Sequence, residues 1–452
     1  MTYVNLTKKL VFWYSHCLNN IKNNYYLMKK MTKELELINS TFEYGRSLGI
    51  VRAVAKNDDY DGRSLMLSGK ETVFFGNCSY MGLDQNEEIK EAAKNAIDKY
   101  GMYFSSSRTF VGLELFEQME EKLEEMFEKP VNVTTSTTFA HISNLPILVG
   151  RNDAIILDNY VHSSMQTAVN MMRNNGDHIE ILRHSRLDLL EERIKILSAK
   201  YDNVWYMIDG IYSMMGDGAP MKELEFLMNK YEQFYVYADD AHGTSWTGKK
   251  GIGYVLNEIP FHEKLFIGMS MSKGFGTGGG LMVYPDKASK ELVKNLGKTM
   301  IFSGPPHPAA AAAAIKSAEI HMRPEFADLQ LDLKRKIEYF WKKANQLNLP
   351  LSGNHATPIF FIGSGSTENT AFTAKALLDS GFFVSPCTFP SVPKNKTGIR
   401  ITLSRYITLS DIDNLLQMIN HIYMQLEKMG KMDRELVKRR FTEKSSKELI
   451  LS

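Results

Sequence analysis

Two segments carry residue types that could together run amine chemistry. The first is Ala238-Asp239-Asp240-Ala241-His242-Gly243, which follows the apolar run 234–237. Two acids and an imidazole at the end of a buried strand are costly to desolvate unless something there uses them. Taken alone, they would serve equally well as helix caps, with His242 a satisfied polar residue. The second segment is Ser270-Met271-Ser272-Lys273, placed between the apolar run 265–269 and the glycines of 274–280. A lysine held there is partly shielded from water. Desolvation lowers an amine's pKa, and the neutral amine is the form that attacks a carbonyl. The plain alternative is a surface lysine in a flexible loop. The glycine run is weak evidence for a phosphate loop, because no helix start is evident behind it.

Together the two segments say more. An acid at one strand end and a lysine at the next suit pyridoxal 5′-phosphate, whose ring nitrogen takes a carboxylate partner and whose aldehyde takes an amine. From these motifs the chain resembles the α-oxoamine synthase family of fold-type-I pyridoxal-phosphate enzymes, in order from about residue 70 to 425. The resemblance implies that Lys273 is the Schiff-base lysine, that Asp239 pairs with the ring nitrogen and that His242 lies near the ring hydroxyl. Ser270 takes the place of a threonine that binds the cofactor phosphate.

Upstream, Asp158-Asn159-Tyr160-Val161-His162-Ser163-Ser164 is similar to the family's Asp-x-x-x-His-Ala-Ser. His162 would then stack on the pyridine ring, where a flat polarizable face suits an aromatic cofactor. Thr137 and Thr138 match by position two residues whose backbone amides hold the phosphate at a helix start, where exposed N–H groups favour an anion. Asp209-Gly210-Ile211-Tyr212-Ser213-Met214 resembles a segment whose serine approaches the ring hydroxyl, which assigns that role to Ser213. Arg400, in Gly398-Ile399-Arg400, matches an arginine that grips the substrate carboxylate through two parallel hydrogen bonds.

The chain departs from the pattern near the substrate. A family asparagine that helps hold the carboxylate falls on Cys78, with Asn77 one place earlier; cysteine is a poor hydrogen-bond donor. After Ser105-Ser106-Ser107-Arg108 an expected histidine is missing, with Phe116 nearest. The segment 301–306 is two residues short. Gly398 stands where a first arginine belongs, and Ile407 where another histidine would be. The cofactor residues are kept; the acyl and carboxylate region is altered.

The resemblance implies decarboxylative condensation of an amino acid with an acyl thioester, either acyl-CoA or acyl carrier protein, in a homodimer. A class I/II-type aminotransferase is the nearest rival. A non-catalytic partner subunit is the third reading, and the retention of Lys273, Asp239 and His162 argues against it.

These residues need a scaffold that brings strand ends together. From about residue 70, short β-rich runs (71–77, 131–136, 154–158, 179–184, 204–209, 234–239, 265–270 and 280–285) alternate with helical stretches such as 87–100, 116–128 and 187–197. This predicts an α/β fold with a mostly parallel, mixed sheet, chemistry lying at the strands' carboxyl ends. An Ala-rich helix over 309–322 leads to a smaller α+β C-terminal domain with strands at 358–363, 382–385 and 399–403. Ser410 is the expected cap of a final amphipathic helix. The expected divisions are an N-terminal segment 1–69, a cofactor-binding large domain 70–308, a small domain 309–428 and a charged tail 429–452. Residues 1–30 read as a surface arm, as a weak interfacial helix, or as sequence upstream of a start at Met31.

Composition narrows the class. Lys+Arg 54 against Asp+Glu 52 leaves no field to hold nucleic acid. Cys17, Cys78 and Cys387 form no CxxC pair, which argues against zinc or a disulfide framework and fits a reducing compartment. No uncharged apolar run reaches a membrane span of roughly 18 residues. A cytoplasmic enzyme without a metal centre is expected.

Overall fold

The computed structural model describes residues 32–442, apart from 57–59, 174–175 and 354–356. The expectations for residues 1–30 and for the end of the charged tail fall outside the described residues. A seven-stranded sheet forms the centre, in the order β3 (Val131–Thr134), β9 (Gly280–Val283), β8 (Leu265–Ser270), β7 (Phe234–Asp239), β6 (Val204–Asp209), β4 (Ala154–Asp158) and β5 (His178–Leu182). Neighbours from β8 to β5 run parallel, whereas β9 is antiparallel to both β8 and β3. The sheet is therefore mixed and mostly parallel, as the alternating pattern predicts.

Alternate residues of each strand reach opposite faces, so both faces must be covered. In β4, Ala154 and Ile156 join one apolar cluster while Ile155 and Leu157 join the other. In β6, Tyr206 and Ile208 are parted from Trp205 and Met207 in the same way. The Ala-rich helix is Pro308–Met322, and its small side chains let it pack closely on the helices Glu87–Tyr100 and Glu114–Phe127. Among the described residues, no helix is long and apolar enough to cross a membrane.

The C-terminal part packs Ile359, Ile362, Ile399, Ile401, Leu415 and Ile419 into an apolar cluster that it shares with Ile50, Leu67 and Phe75. Its sheet pairs β10 (Ile359–Gly363) and β12 (Ser385–Cys387) antiparallel with β13 (Gly398–Thr402). Three expectations change here. The run 71–77 gives β2 (Lys70–Phe74), which pairs with β1 (Ser64–Leu67) and β11 (Phe382–Phe383), not with the large sheet. The run 382–385 is divided between two sheets, because β11 follows β2 while β12 follows β13. The last long helix is Leu409–Lys428, and Thr408, not Ser410, caps it: Thr408 and Asp411 form a reciprocal capping box. The charged tail begins with a helix, Arg434–Thr442, whose Val437 is buried against the small-sheet core.

One ion-pair clasp ties strand ends of the large sheet together. His184, just past β5, places Nδ1 3.0 Å from Asp158 at the end of β4, and Nε2 2.6 Å from Asp217. Burial disfavours the imidazolium, but the two carboxylates override it and raise the pKa from 6.5 to about 9. A folded-state value above the unfolded one adds stability below about pH 6.5 that is lost as pH rises through about 9. The shift corresponds to about 3 kcal/mol. His184→Gln should therefore lower unfolding free energy by up to that amount near pH 6. Denaturant titrations should show the gap from wild type closing toward pH 9.5; a constant gap would mean the imidazole acts by packing alone.

Candidate active site

The carboxyl ends of β3, β4, β6, β7 and β8 all point to one edge of the large sheet, and the predicted site residues gather there. β7 ends at Asp239 and β8 at Ser270, with Lys273 in the following turn. Lys273 has an amine pKa lowered by burial, against the raising pull of the neighbouring Asp239, Cys78 and Asp209. This is the partly shielded amine that the sequence suggests.

The two adjacent acids have different jobs. Asp240 is fully buried; its Oδ2 accepts the Val255 amide at 3.0 Å. Gly210, Gly243 and Gly253 crowd its carboxyl so closely that none has room for a Cβ. Burial pushes its pKa well up, so it is a neutral structural group. Asp239 stays ionised. Burial alone would raise it, but the His141 imidazole, aided by Lys273 and His162, brings it down to about 2. His141 Nε2 lies 2.9 Å from Asp239 Oδ2, and His141 Nδ1 lies 3.0 Å from the Tyr237 hydroxyl. The other Asp239 oxygen accepts the Ala241 amide at 3.0 Å.

His141 is the important residue that sequence reasoning left without a role. A signal existed: it stands four residues after Thr137, on the same face of the helix Thr137–Leu148. Its slot is made by Gly268, the β8 partner of Asp239, where a Cβ would sit 2.9 Å from the imidazole. Asp209 was likewise passed over as a separate group. It is the register partner of Asp239, accepts the His162 amide at 3.0 Å, and is driven well up by burial and by the Asp239 charge. The Asp239 charge and burial thus push Asp209 up while His141 holds Asp239 down.

An anion seat lies beside these groups. Ser136 caps the helix Thr137–Leu148 by accepting the Phe139 amide. The Thr137 and Thr138 amides have no hydrogen-bond partner among the described residues, and helix-start amides attract phosphate. Ser270 is paired across the sheet with Gly280. A Cβ on Gly280 would fall within 3.0 Å of the Thr137 backbone, so only glycine lets the β8–β9 turn approach the helix start. Amides, the Ser270 hydroxyl, an ionised acid and a shielded amine fit pyridoxal phosphate.

On the opposite wall, His242 is buried, with Nδ1 2.7 Å from the Tyr80 hydroxyl. Burial, with Lys273 and Arg400 nearby, holds it well below 6.5 and therefore neutral. His162 turns an exposed ring to the opening, steadied by a 2.7 Å contact from Nδ1 to Ser164 Oγ. Arg400 reaches in from β13: Nε donates to the Ser213 carbonyl at 2.6 Å and Nη2 to Cys78 Sγ at 3.7 Å. Asn77 does not join them. Its amide donates to the Tyr60 hydroxyl at 3.0 Å and accepts the Ser79 amide at 2.8 Å, so both ends are engaged in bracing the turn.

The departures also have physical causes. Phe116 and Ile407 are buried in apolar clusters, so histidine at either place would lack a polar partner there. At Gly398 a Cβ would strike the Ile362 carbonyl, which leaves no space for arginine.

Leaving a buried carboxylate without its partner costs about 3–5 kcal/mol. His141→Leu should therefore lower unfolding free energy by about 3 kcal/mol, and His141→Asn, which keeps a donor, by less. Adding Asp239→Asn to His141→Leu should recover part of the loss in denaturant titrations. Strict additivity would show that the two residues are not coupled.

With this geometry in place, known proteins can be set beside it. The model of the family "aminotransferase class I and II" matches residues 72–419. The 8-amino-7-oxononanoate synthase of Alkaliphilus metalliredigens is 28% identical over 398 residues, covering 87% of this chain and 98% of that enzyme. The serine palmitoyltransferase of Sphingobacterium spiritivorum is 29% identical over 373 residues, covering 80% and 89%. Among solved structures, Sphingomonas wittichii serine palmitoyltransferase has a TM-score of 0.76 at 23% identity, covering 89% of this chain and 99% of that one. The Francisella tularensis 8-amino-7-oxononanoate synthase has a TM-score of 0.67 at 20% identity, covering 79% and 99%. The structural matches share the fold-type-I scaffold, and the sequence matches run nearly the whole length of their enzymes. The chain belongs to the aminotransferase class I and II family, in its α-oxoamine synthase branch.

Proposed function

We propose that this chain uses pyridoxal 5′-phosphate to condense an amino acid with an acyl thioester, releasing CO₂ and giving an α-aminoketone. The observation that carries the reading is a buried guanidinium near a half-buried amine: Arg400 is among the charges that act on the Lys273 amine. An α-amino acid offers a carboxylate and an amine one carbon apart, which is what such a pair would hold. Support for condensation, as against other reactions of the fold, comes from near-complete coverage of the 8-amino-7-oxononanoate synthases and a serine palmitoyltransferase.

When bound, pyridoxal phosphate supplies an aldehyde for amine exchange and a ring that draws the electron pair released at the substrate Cα. Lys273 would hold the aldehyde carbon. Its amine, with a pKa lowered by burial, would be the group within reach to move a proton at the substrate Cα. Asp239 keeps a proton on the ring nitrogen, because a fixed negative charge raises that nitrogen's pKa. The Thr137 and Thr138 amides and the Ser270 hydroxyl hold the phosphate. His162 would cover one ring face, and His242 and Ser213 would stand at the ring hydroxyl. Arg400, beside Cys78, orients the amino-acid carboxylate.

The enzyme works as a cytoplasmic homodimer in this proposal. Phe110 is 90% exposed and Phe302 82%, on two loops joined by the Ser107 hydroxyl's hydrogen bond to the Ile301 carbonyl. Apolar side chains so exposed beside the site suit burial against a second copy. The shortened 301–306 segment and the missing histidine near Phe116 give the enzyme an acyl preference of its own.

Borohydride reduction and peptide mapping should leave the pyridoxyl mark on Lys273; a mark on another lysine would overturn the assignment. Arg400→Ala should raise the amino-acid concentration needed to shift the cofactor's absorbance by at least about tenfold, since a lost charge-assisted hydrogen bond costs roughly 1.5–3 kcal/mol. The function itself is tested by CO₂ release across a matrix of amino acids with acyl-CoA and acyl-carrier thioesters. If no thioester is consumed while added keto acids turn over, the enzyme is an aminotransferase.

A further inference from the structure

Arg400 is only 9% exposed, yet among the described residues no carboxylate pairs with it. Its Nε is held by the Ser213 carbonyl, and the other groups it meets are sulfur and phenol. Cys78 Sγ is 3.7 Å from its Nη2, Tyr80 from the same turn stands beside both, and Cys387 lies behind on β12. The other charged or titratable neighbours are Lys273, from the turn after β8, and His242, held by the Tyr80 hydroxyl after β7. A buried guanidinium without an acid points to an anionic ligand. A thiol in that seat is the one ordinary uncharged side chain there that becomes an anion near neutral pH.

We propose that the Cys78 thiolate occupies the carboxylate seat of Arg400 in the resting enzyme, and that the incoming amino-acid carboxylate displaces it with uptake of one proton by the sulfur. This rests on the condensation reading only in taking an amino acid as the ligand. Two anions cannot share one guanidinium at this distance without repulsion, so the carboxylate's arrival returns the thiolate to thiol. The proton comes from solvent and ends on Sγ. Burial would raise the Cys78 pKa, but Arg400 and Lys273 together lower it, which agrees with the geometry. Cys387, buried and pushed up to about 12, does not compete. Cys78 thereby tunes specificity: amino-acid affinity falls as pH rises, unlike that of an enzyme with a neutral amide in the same place.

The test alkylates the holoenzyme with iodoacetamide across pH, quantifying the Cys78 peptide by mass spectrometry, with and without propionate, a carboxylate that has no amine to react. The expected midpoint lies below the ordinary thiol value of about 8.5, and propionate should move it upward. In parallel, the amino-acid concentration that half-shifts the cofactor's absorbance is compared between wild type and Cys78→Asn. The wild-type to variant ratio should grow by about tenfold per pH unit above that midpoint, because one proton is taken up on binding. An ordinary midpoint unmoved by propionate, or a ratio flat with pH, overturns the proposal. If the reagent does not reach the sulfur, the ratio alone decides. Neither readout requires turnover, so a lack of CO₂ release would overturn the condensation reading while leaving this one standing.

Discussion

A carboxylate 4% exposed must find a partner or lose its charge, and Asp239 finds one in His141, 2.9 Å away. That contact fixes much of what surrounds it. The helix Thr137–Leu148 must lie close enough to β7 for His141, one turn into it, to reach the strand end. β8 must give up a side chain at Gly268 to admit the ring, and Tyr237 must hold the far nitrogen. The same helix presents its first amides to the anion seat. One rigid element would thus set the charge facing both the ring nitrogen and the phosphate of a bound cofactor. Asp209, pushed up by burial and by the Asp239 charge, leaves Asp239 as the acid favoured to carry charge where a cationic ring would sit.

Much of the remaining architecture consists of close approaches that leave no room for a Cβ. Gly280 lets the lysine turn meet the helix start, and Gly210, Gly243 and Gly253 enclose Asp240. These glycines lie in different elements, so their common purpose appears only once the sheet is assembled. They convert a parallel sheet, whose strand ends are naturally open, into a cleft with fixed walls.

What was legible in the sequence divides along the same line. Lys273, Asp239, His162 and His242 stand in local motifs at strand ends, where residue type and neighbours suffice to suggest chemistry. The alternation of β-rich and helical runs gave the mixed sheet, because burial on both faces demands near-continuous apolar strands. His141 was hidden because its partner is almost 100 positions away in sequence. The run 382–385 looked like one strand, since β-propensity does not say which partner each half will find. Ser410 and Thr408 are both good caps, and only the reciprocal Asp411 contact decides between them. Asn77 matched by type but is consumed by its own turn.

The central claim is that Asp239 carries its charge through the working pH range and thereby keeps the cofactor's ring nitrogen protonated. The direct measurement is the ¹⁵N chemical shift of the ring nitrogen in enzyme loaded with ¹⁵N-labelled pyridoxal phosphate, followed from about pH 6 to 9. The account predicts a protonated pyridinium signal throughout in wild type and its loss in Asp239→Asn. An unprotonated ring nitrogen in the wild-type enzyme, or one unaffected by removing the acid, would contradict it.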